Sequence, residues 1–277
     1  SFTDRYLMTL TGRIDGSSKF GAGNKYGFFP SAAFAWKLHR EAFFSNVEAF
    51  NELKLRVSYG QIGNQEIPVF RSLAATTGVG YVFGSSSLIG SVPSRLANED
   101  LRWETTTSLN LGIDFGLYDD RVFGSVELFS SETDDLLLDR NIPAHLGFTR
   151  ALTNIGVVKN KGVDVTLTGS PVDIGGFKWE ISANVASNRN EILALEGSVD
   201  EDGNPLDDIG NSWFIGEPIG VIYDFVYDGI WQTGEDIANS AQPNADPGDI
   251  KIKDLNEDGM INDEDRAILG SNVPDWY

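Results

Sequence analysis

Ser108-Leu109-Asn110-Leu111-Gly112-Ile113-Asp114-Phe115 is the stretch that decides the fold class. Leu109, Leu111, Ile113 and Phe115 share one face of an extended chain; Ser108, Asn110, Gly112 and Asp114 share the other. A period of two is the strand period, because successive side chains point to opposite sides. A tight turn at residues 116–120 then sends the chain back, so residues 101–129 read as an antiparallel hairpin. The pattern returns over residues 162–190. Val163, Val165 and Leu167 alternate with Asp164, Thr166 and Thr168, and Trp179, Ile181, Ala183 and Val185 with Glu180, Ser182, Asn184 and Ala186. A soluble sandwich also alternates, but with short strands whose apolar face meets a second sheet. Here the segments are about ten residues long and the second face is Asp, Glu, Asn, Ser, Thr and Gly, the pattern of a membrane-barrel strand with lipid on one side and a wet lumen on the other. The fold expected is all-β, part of a large antiparallel transmembrane β-barrel with long extracellular loops.

Composition agrees and excludes several classes. The 277 residues suffice for one large or two ordinary domains. No run of eighteen apolar residues exists, so no helical span is expected; a soluble all-β protein passes that test equally well. Six Trp could supply the aromatic girdles of the two membrane interfaces. The 41 acidic against 21 basic residues, net −20, argue against nucleic acid, whose phosphates need Lys and Arg. They suit a solvated outer surface or sites for hard cations. With no Cys there is no disulfide, thiol nucleophile or thiolate metal site.

Along the chain, strands are expected around Tyr6–Arg13 in sequence, Ala32 to Leu38, Leu53 to Tyr59, the hairpin just described, the echo at 162–190, and a strand-like run at 218–232, about eight in all. Residues 61–100 are Gly- and Ser-rich and not periodic; 141–153 and 188–211 are further loops, the last with an acidic tip at 200–204. Long excursions therefore alternate with short turns, as in barrels whose long loops are extracellular. The opening residues lack the order of a signal peptide, and the chain is expected to be a fragment, 1–277, of a longer barrel.

Residues 254–265, Asp-Leu-Asn-Glu-Asp-Gly-Met-Ile-Asn-Asp-Glu-Asp, form the sharpest chemical motif. Asp254, Asn256 and Asp258 put oxygens at positions 1, 3 and 5 of a Ca²⁺ loop, and Gly259 stands at 6, where the chain must turn sharply. Met260 offers its carbonyl at 7, Ile261 is the apolar anchor at 8, Asn262 stands at 9 and Asp265 closes the loop at 12, a shorter, dockerin-like variant of the EF-hand Glu. The expected ligands are Asp254, Asn256, Asp258, Met260, Asn262 and Asp265, holding a structural Ca²⁺ in an outer-loop insertion at 234–270; an ordinary acidic turn is the other reading. Residues 248–253 should be extended and 264–269 a short helical turn.

Catalytic constellations are poor, and no enzyme is expected. His39 and His145 have no motif around them, and Asp134-Asp135 and Asp207-Asp208 are the adjacent carboxylates expected in so acidic a chain. The Gly-rich 21–27 lacks the Lys-Ser/Thr of a phosphate loop. Trp36, Trp103, Trp179, Trp213, Trp231 and Tyr81 could stack on sugars; Trp36 and Trp179, on apolar strand faces, suit an interface girdle, while Trp213 and Trp231 are open between packing and ligand or partner contact.

Several segments, taken together, resemble a known family. Arg13-Ile14-Asp15-Gly16-Ser17-Ser18-Lys19-Phe20 is similar to its RxDGSSxF segment, and Phe29-Pro30-Ser31…Ala35-Trp36 to its FPS…AW strand. Residues 53–64, LKLRVSYGQIGN, resemble its LKLRxSYGxxGN signature, with further matches at 101–106, 154–162 and 248–266. The family is that of SusC/RagA-like TonB-dependent outer-membrane transporters of Bacteroidetes, and the match spans nearly the whole chain in order. The resemblance implies import of glycans (oligosaccharides) or peptides across the bacterial cell outer membrane. It implies barrel walls set in outer-membrane lipid, a plug and a TonB-contacting segment outside this chain, and a SusD-like surface lipoprotein as lid. The runner-up is a secreted Ca²⁺-stabilised β-rich binding or adhesion module.

Overall fold

The computed structural model describes residues 2–271 and 274, apart from Asn46, Glu48, Pro143 and residues 196–198. Seven long strands make one antiparallel sheet. They are β1 (Tyr6–Gly16), β2 (Tyr26–Lys37), β3 (Phe50–Asn64), β6 (Glu104–Leu117), β7 (Val122–Asp134), β10 (Val157–Ile174) and β11 (Phe177–Ala194), in that spatial order. Four two-stranded ribbons decorate it: β4 (Ala75–Phe83) with β5 (Ser86–Arg95), β8 (Leu137–Asn141) with β9 (Arg150–Asn154), β12 (Val221–Phe225) with β15 (Arg266–Ser271), and β13 (Tyr227–Ile230) with β14 (Ile250–Ile252). Among the described residues helical structure is limited to three-residue 3₁₀ turns.

The alternation of residues 108–115 carries across the sheet because register preserves it. Leu111 lies opposite Val57 on β3 and Leu128 on β7; Val57 faces Phe34, Phe34 faces Met8, and Leu128 faces Val163. One position along, Arg56, Gly112, Glu127 and Asp164 make a polar row. The apolar rows are uncovered: Met8 is 66%, Leu10 67% and Leu128 51% exposed. Among the described residues no second sheet packs on them, which is the arrangement lipid requires and a soluble sandwich forbids.

Core-like packing is found instead in clusters built with residues of the long excursions. Phe20, Phe29, Ile67, Leu101 and Trp103 form one buried cluster, joined by Leu137 and Leu152. Val158, Ile192 and Leu195 form another with Leu136, Trp213 and Ile215. At the other ends of the strands the connections are short. β6 and β7 are joined through Tyr118, Asp119 and Asp120, all at positive φ, and Tyr118 N–H donates to Ala49 C=O across the neighbouring connection. β10 and β11 are joined by Gly175-Gly176 at φ +62° and +87°, a conformation glycine adopts without a Cβ penalty.

The structure departs from the sequence pattern in five places, one being the loop expected at 188–211, whose first residues, 188–194, are the end of β11. Residues 61–100 are not irregular: β3 runs on to Asn64, and β4–β5 form a hairpin that Gly and Ser conceal, because they score poorly as strand formers. Tyr81 lies against Gly90 on the facing strand, so an aromatic covers the bare backbone. Residues 141–153 likewise include the end of β8 and most of β9. The eighth strand expected at 218–232 does not join the wall; it splits into β12 and β13, which pair with β15 and β14 and tie residues 221–230 to 250–271. The short helical turn expected at 264–269 is a 3₁₀ turn at Asp263–Asp265 that gives way to β15, while 248–253 is extended through β14 as expected.

Candidate functional site: a polar wall and an acidic loop

The polar face of the wall carries a charge network that no single motif announced. Arg56 and Lys54, two apart on β3, point to the same side, and Asp114 on β6 receives both. Arg56 Nε donates to Asp114 Oδ2 at 2.9 Å, its Nη2 to Oδ1 at 2.9 Å, and Lys54 Nζ to Oδ2 at 2.7 Å. Arg56 Nη2 also reaches Glu127 on β7 at 3.3 Å. To do so the side chain crosses β6 over Gly112, where a Cβ would lie 2.8 Å from Nη2. Gly112 thus leaves a gap in the polar face, and the guanidinium fills it. Around the network the face is amide and hydroxyl: Asn110 Nδ2 donates to Ser58 Oγ at 3.2 Å, and the Thr106–Thr133 and Thr168–Ser182 hydroxyl pairs lie at 2.9 and 2.8 Å. Thr166 stands in register with Ser125 and Asn184, and Asp164 with Glu127; Glu180 pairs with Lys178 near the short turn at 3.1 Å.

Aromatic residues gather at the end of the short connections. Tyr6 stacks on Phe34 and Trp36 at 6.4 and 6.2 Å, and Phe43 meets Trp36 edge-on at 6.5 Å. The Tyr6 hydroxyl and Trp36 Nε1 both donate to Glu41 Oε1, at 2.7 and 3.0 Å. The Tyr6 hydrogen bond is the main reason the Glu41 carboxyl is held below its usual range. Trp36 and the exposed Trp179 therefore sit as girdle residues would. The other aromatic candidates separate. Trp103 is buried against Phe20 and Phe29, Trp213 packs on the second cluster, and Trp231 is buried with its Nε1 toward Gln242 and Lys251 Nζ 4.4 Å from its ring centre. Tyr81 stands exposed on the β4–β5 hairpin. The buried Trp103 and Trp231 are not free to stack on a sugar, while Trp213 is only partly covered.

The isolated polar candidates are fasteners. His39 Nδ1 takes the Leu53 N–H at 3.1 Å, and His145 sits in the Ala144–Leu146 turn. Asp135 pairs with Arg102 at 2.5 and 2.7 Å, Asp207 accepts from Ile215 N–H at 2.7 Å and Asp208 from Asn211 N–H at 3.1 Å.

The loop at 254–265 closes on itself. Asp254 Oδ2 accepts from Gly259 N–H, Asp258 Oδ1 from Met260 N–H, and Asn262 Oδ1 from Glu264 N–H, each at 2.8 Å; Asn256 Oδ1 accepts from Asp258 N–H at 3.1 Å. Gly259 has φ +84°, the turn its position calls for. Asp265 is fully buried, its two oxygens accepting from Leu255 and Asn262 N–H at 2.8 Å, and the Asn262 bond leads the effects holding its carboxyl below the usual range. Asp254 Oδ1 is buried without a hydrogen-bond partner. Among the described residues no three His, Cys, Asp or Glu side chains stand together as a metal cluster. This loop's donors mix carboxylates with two amides and a carbonyl, and Glu264, which sequence reasoning passed over, joins through Asn256 Nδ2 at 3.1 Å.

Comparison with known proteins matches residues 1–250 to the family model described as TonB dependent receptor-like, beta-barrel. TonB-dependent receptor P26 of Formosa agariphila is 39% identical over 282 residues, spanning 99% of this chain and 28% of its own length. TonB-dependent receptor SusC of Bacteroides thetaiotaomicron is 37% identical over 210 residues, 73% of this chain and 21% of its own. Among solved structures, the RagAB peptide transporter superposes with TM-score 0.79 at 25% identity, over 99% of this chain and 29% of that one. The chain thus spans less than a third of the length of these relatives. Its uncovered apolar rows, its polar face and these matches together place it in the TonB-dependent receptor-like β-barrel family, as a stretch of outer-membrane barrel wall with its loops.

Proposed function

We propose that this chain supplies wall and outer loops to a TonB-dependent importer of oligosaccharides or peptides. The observation that carries the reading is the two-faced wall: exposed apolar rows on one side, and the Lys54–Arg56–Asp114–Glu127 network with its Ser, Thr and Asn neighbours on the other. Polar side chains in a lumen can exchange hydrogen bonds with a hydrated solute at little net cost, whereas an apolar lumen would demand desolvation. The SusC relative and the RagAB neighbour support the import reading, and the peptide named for RagAB keeps peptides beside glycans as substrate class. A SusD-like lipoprotein over the outer loops and TonB at the opposite membrane face complete the proposed machine. A secreted soluble module would leave the bare apolar rows without a role.

The loop at 254–265 is proposed to hold a structural Ca²⁺ through Asp254, Asn256, Asp258, Asn262 and Asp265 side chains and the Met260 carbonyl. The buried, unpartnered Asp254 Oδ1 suits a ligand to a hard cation better than a finished acidic turn. Bound there, Ca²⁺ would offset part of the loop's negative charge and stiffen the insertion built by β12–β15. Two experiments test the proposal. Outer membranes solubilised in mild detergent should yield the native chain that carries this sequence together with a stoichiometric lipoprotein; recovery of a lone soluble product would refute it. Asp254→Ala with Asp258→Ala should abolish Ca²⁺-dependent protease protection of residues 248–270, and unchanged protection would remove the metal.

A further inference from the structure

On the apolar side of the wall, the row holding Leu10, Ala32, Tyr59, Leu109 and Ser130 ends in Lys161 on β10 and Arg189 on β11. These two cations are directly opposite each other in the register. Like charges at facing positions of an antiparallel pair destabilise it, and in a chain with 41 acidic residues a relieving carboxylate would be easy to supply. One row further out that is what occurs, for Lys159 has Glu132 on one side and Glu191 on the other. Lys161 has only Ser130 and Arg189. Among the described residues neither Lys161 nor Arg189 makes an ion pair. Both are exposed.

Their position along the strands is as informative as their pairing. Toward the short turns, the same face continues from Lys161 as Val163, Val165 and Leu167, and from Arg189 through Val185 to Ile181 and Trp179. Toward the long excursions, β10 begins at Val157 and β11 ends at Ala194 within a few residues. On β10 and β11 the pair thus ends the apolar columns on the side where the long loops emerge. On lipid-facing strands that end approaches the headgroups, where Lys and Arg lay their stems along apolar surface and hold their charge at the interface. Beside them lies a cleft of about 330 Å³, lined also by the facing pair Lys159 and Glu191 and by Asn188, Asn190, Gly216 and Pro218.

We infer that Lys161 and Arg189 form a binding site for the phosphate of an outer-leaflet lipid headgroup. A phosphate between them turns the repulsive pair into two charge-assisted contacts, with the planar Arg fork and the mobile Lys ammonium as complementary donors. The acyl chains of that lipid would run down the Val163–Leu167 and Ile181–Val185 columns. The inference rests on the barrel reading, which puts those columns in lipid and the long loops outside.

The test uses the native chain that carries this sequence, purified from outer membranes, and weighs retained lipid by native mass spectrometry. The probes are bisphosphorylated lipid A, the same lipid stripped of phosphate, and inorganic phosphate. Wild type should retain the bisphosphorylated lipid; K161Q/R189Q should bind it about thirtyfold more weakly, and K161R/R189K should keep it. K161Q alone, expected to lose about fivefold, serves if the double variant fails to insert, which heat-modifiable mobility on gels will show. Equal retention by wild type and the Gln variants, or by intact and dephosphorylated lipid, overturns the inference. Displacement of the lipid by millimolar inorganic phosphate overturns the lipid assignment. Absence of the folded wild-type chain from the membrane would instead overturn the barrel reading beneath it.

Discussion

Removing one side of the Arg56–Asp114 contact tests whether the polar face is an organised surface. The perturbation is a double-mutant cycle, Arg56→Ala, Asp114→Ala and both together, in the native chain refolded into phospholipid vesicles. Two N–H···O contacts of 2.9 Å join the guanidinium and the carboxylate, and their side chains are 35% and 22% exposed. Hydrogen bonds to charged groups contribute about 1.5–3 kcal/mol, while fully exposed ion pairs contribute about 0.2–1. Intermediate exposure facing a wet lumen puts the coupling at about 1.5 kcal/mol, and it should fall markedly at molar salt. Asp114→Ala should cost more than Arg56→Ala, because it also strands Lys54, 2.7 Å away. Urea unfolding followed by tryptophan fluorescence reads each corner. In a Gly112→Ala background the new Cβ would crowd the guanidinium, weakening its reach to Glu127 first, and the coupling should shrink. A coupling below about 0.3 kcal/mol, the additivity expected of independent sites, would refute the network.

Three further outcomes are expected. Leu111→Lys on the apolar face should destabilise the inserted barrel by about 2–4 kcal/mol, whereas Ser108→Lys on the polar face should be near neutral in the same unfolding assay. Trp103→Ala should open the Phe20–Phe29–Leu101 cluster at a local cost of about 3–5 kcal/mol, read as faster proteolysis of residues 17–25 and 65–103 with the wall intact. Asp265 has a depressed folded pKa, so its contribution is complete above the ordinary carboxylate value of about 3.9 and is lost as pH falls through the lower folded value. Protease protection of residues 254–265 should drop across that acid range, and Asp265→Asn should abolish the pH dependence.

The wall was legible in the sequence because lipid and lumen impose opposite demands on successive residues. Leu109–Asn110–Leu111 is enough to reveal a period of two, and register repeats it across seven strands. The ribbons were not legible for the complementary reason. β4–β5 alternates Gly and Ser with Val and Tyr and has no charged residue between Arg71 and Arg95, so neither hydropathy nor polarity marks a face. Residues 218–232 look like a wall strand because Val221, Tyr223 and Phe225 alternate with Ile222 and Asp224; only the pairing with 266–271 shows otherwise. Spacing alone singled out residues 254–265, which fold as a loop closed by its own Asp and Asn side chains. The Arg56–Asp114–Glu127 network depended on a strand pairing that unites residues 58 and 71 positions apart. Local sequence holds no sign of it, save an arginine and a glycine on what should be the same face.

The central claim is that one face of this wall meets lipid and the other meets water, and the absence of cysteine from this sequence makes it directly measurable. Single cysteines placed at Leu111, Leu128 and Val185, and at Asn110, Ser125 and Asn184, would be exposed in native outer membranes to a lipid-soluble and to a water-soluble maleimide. The account predicts labelling of the first three by the lipid-soluble reagent alone and of the second three by the water-soluble one. Labelling of the Leu111, Leu128 and Val185 positions by the water-soluble reagent, at rates matching the polar face, would contradict it.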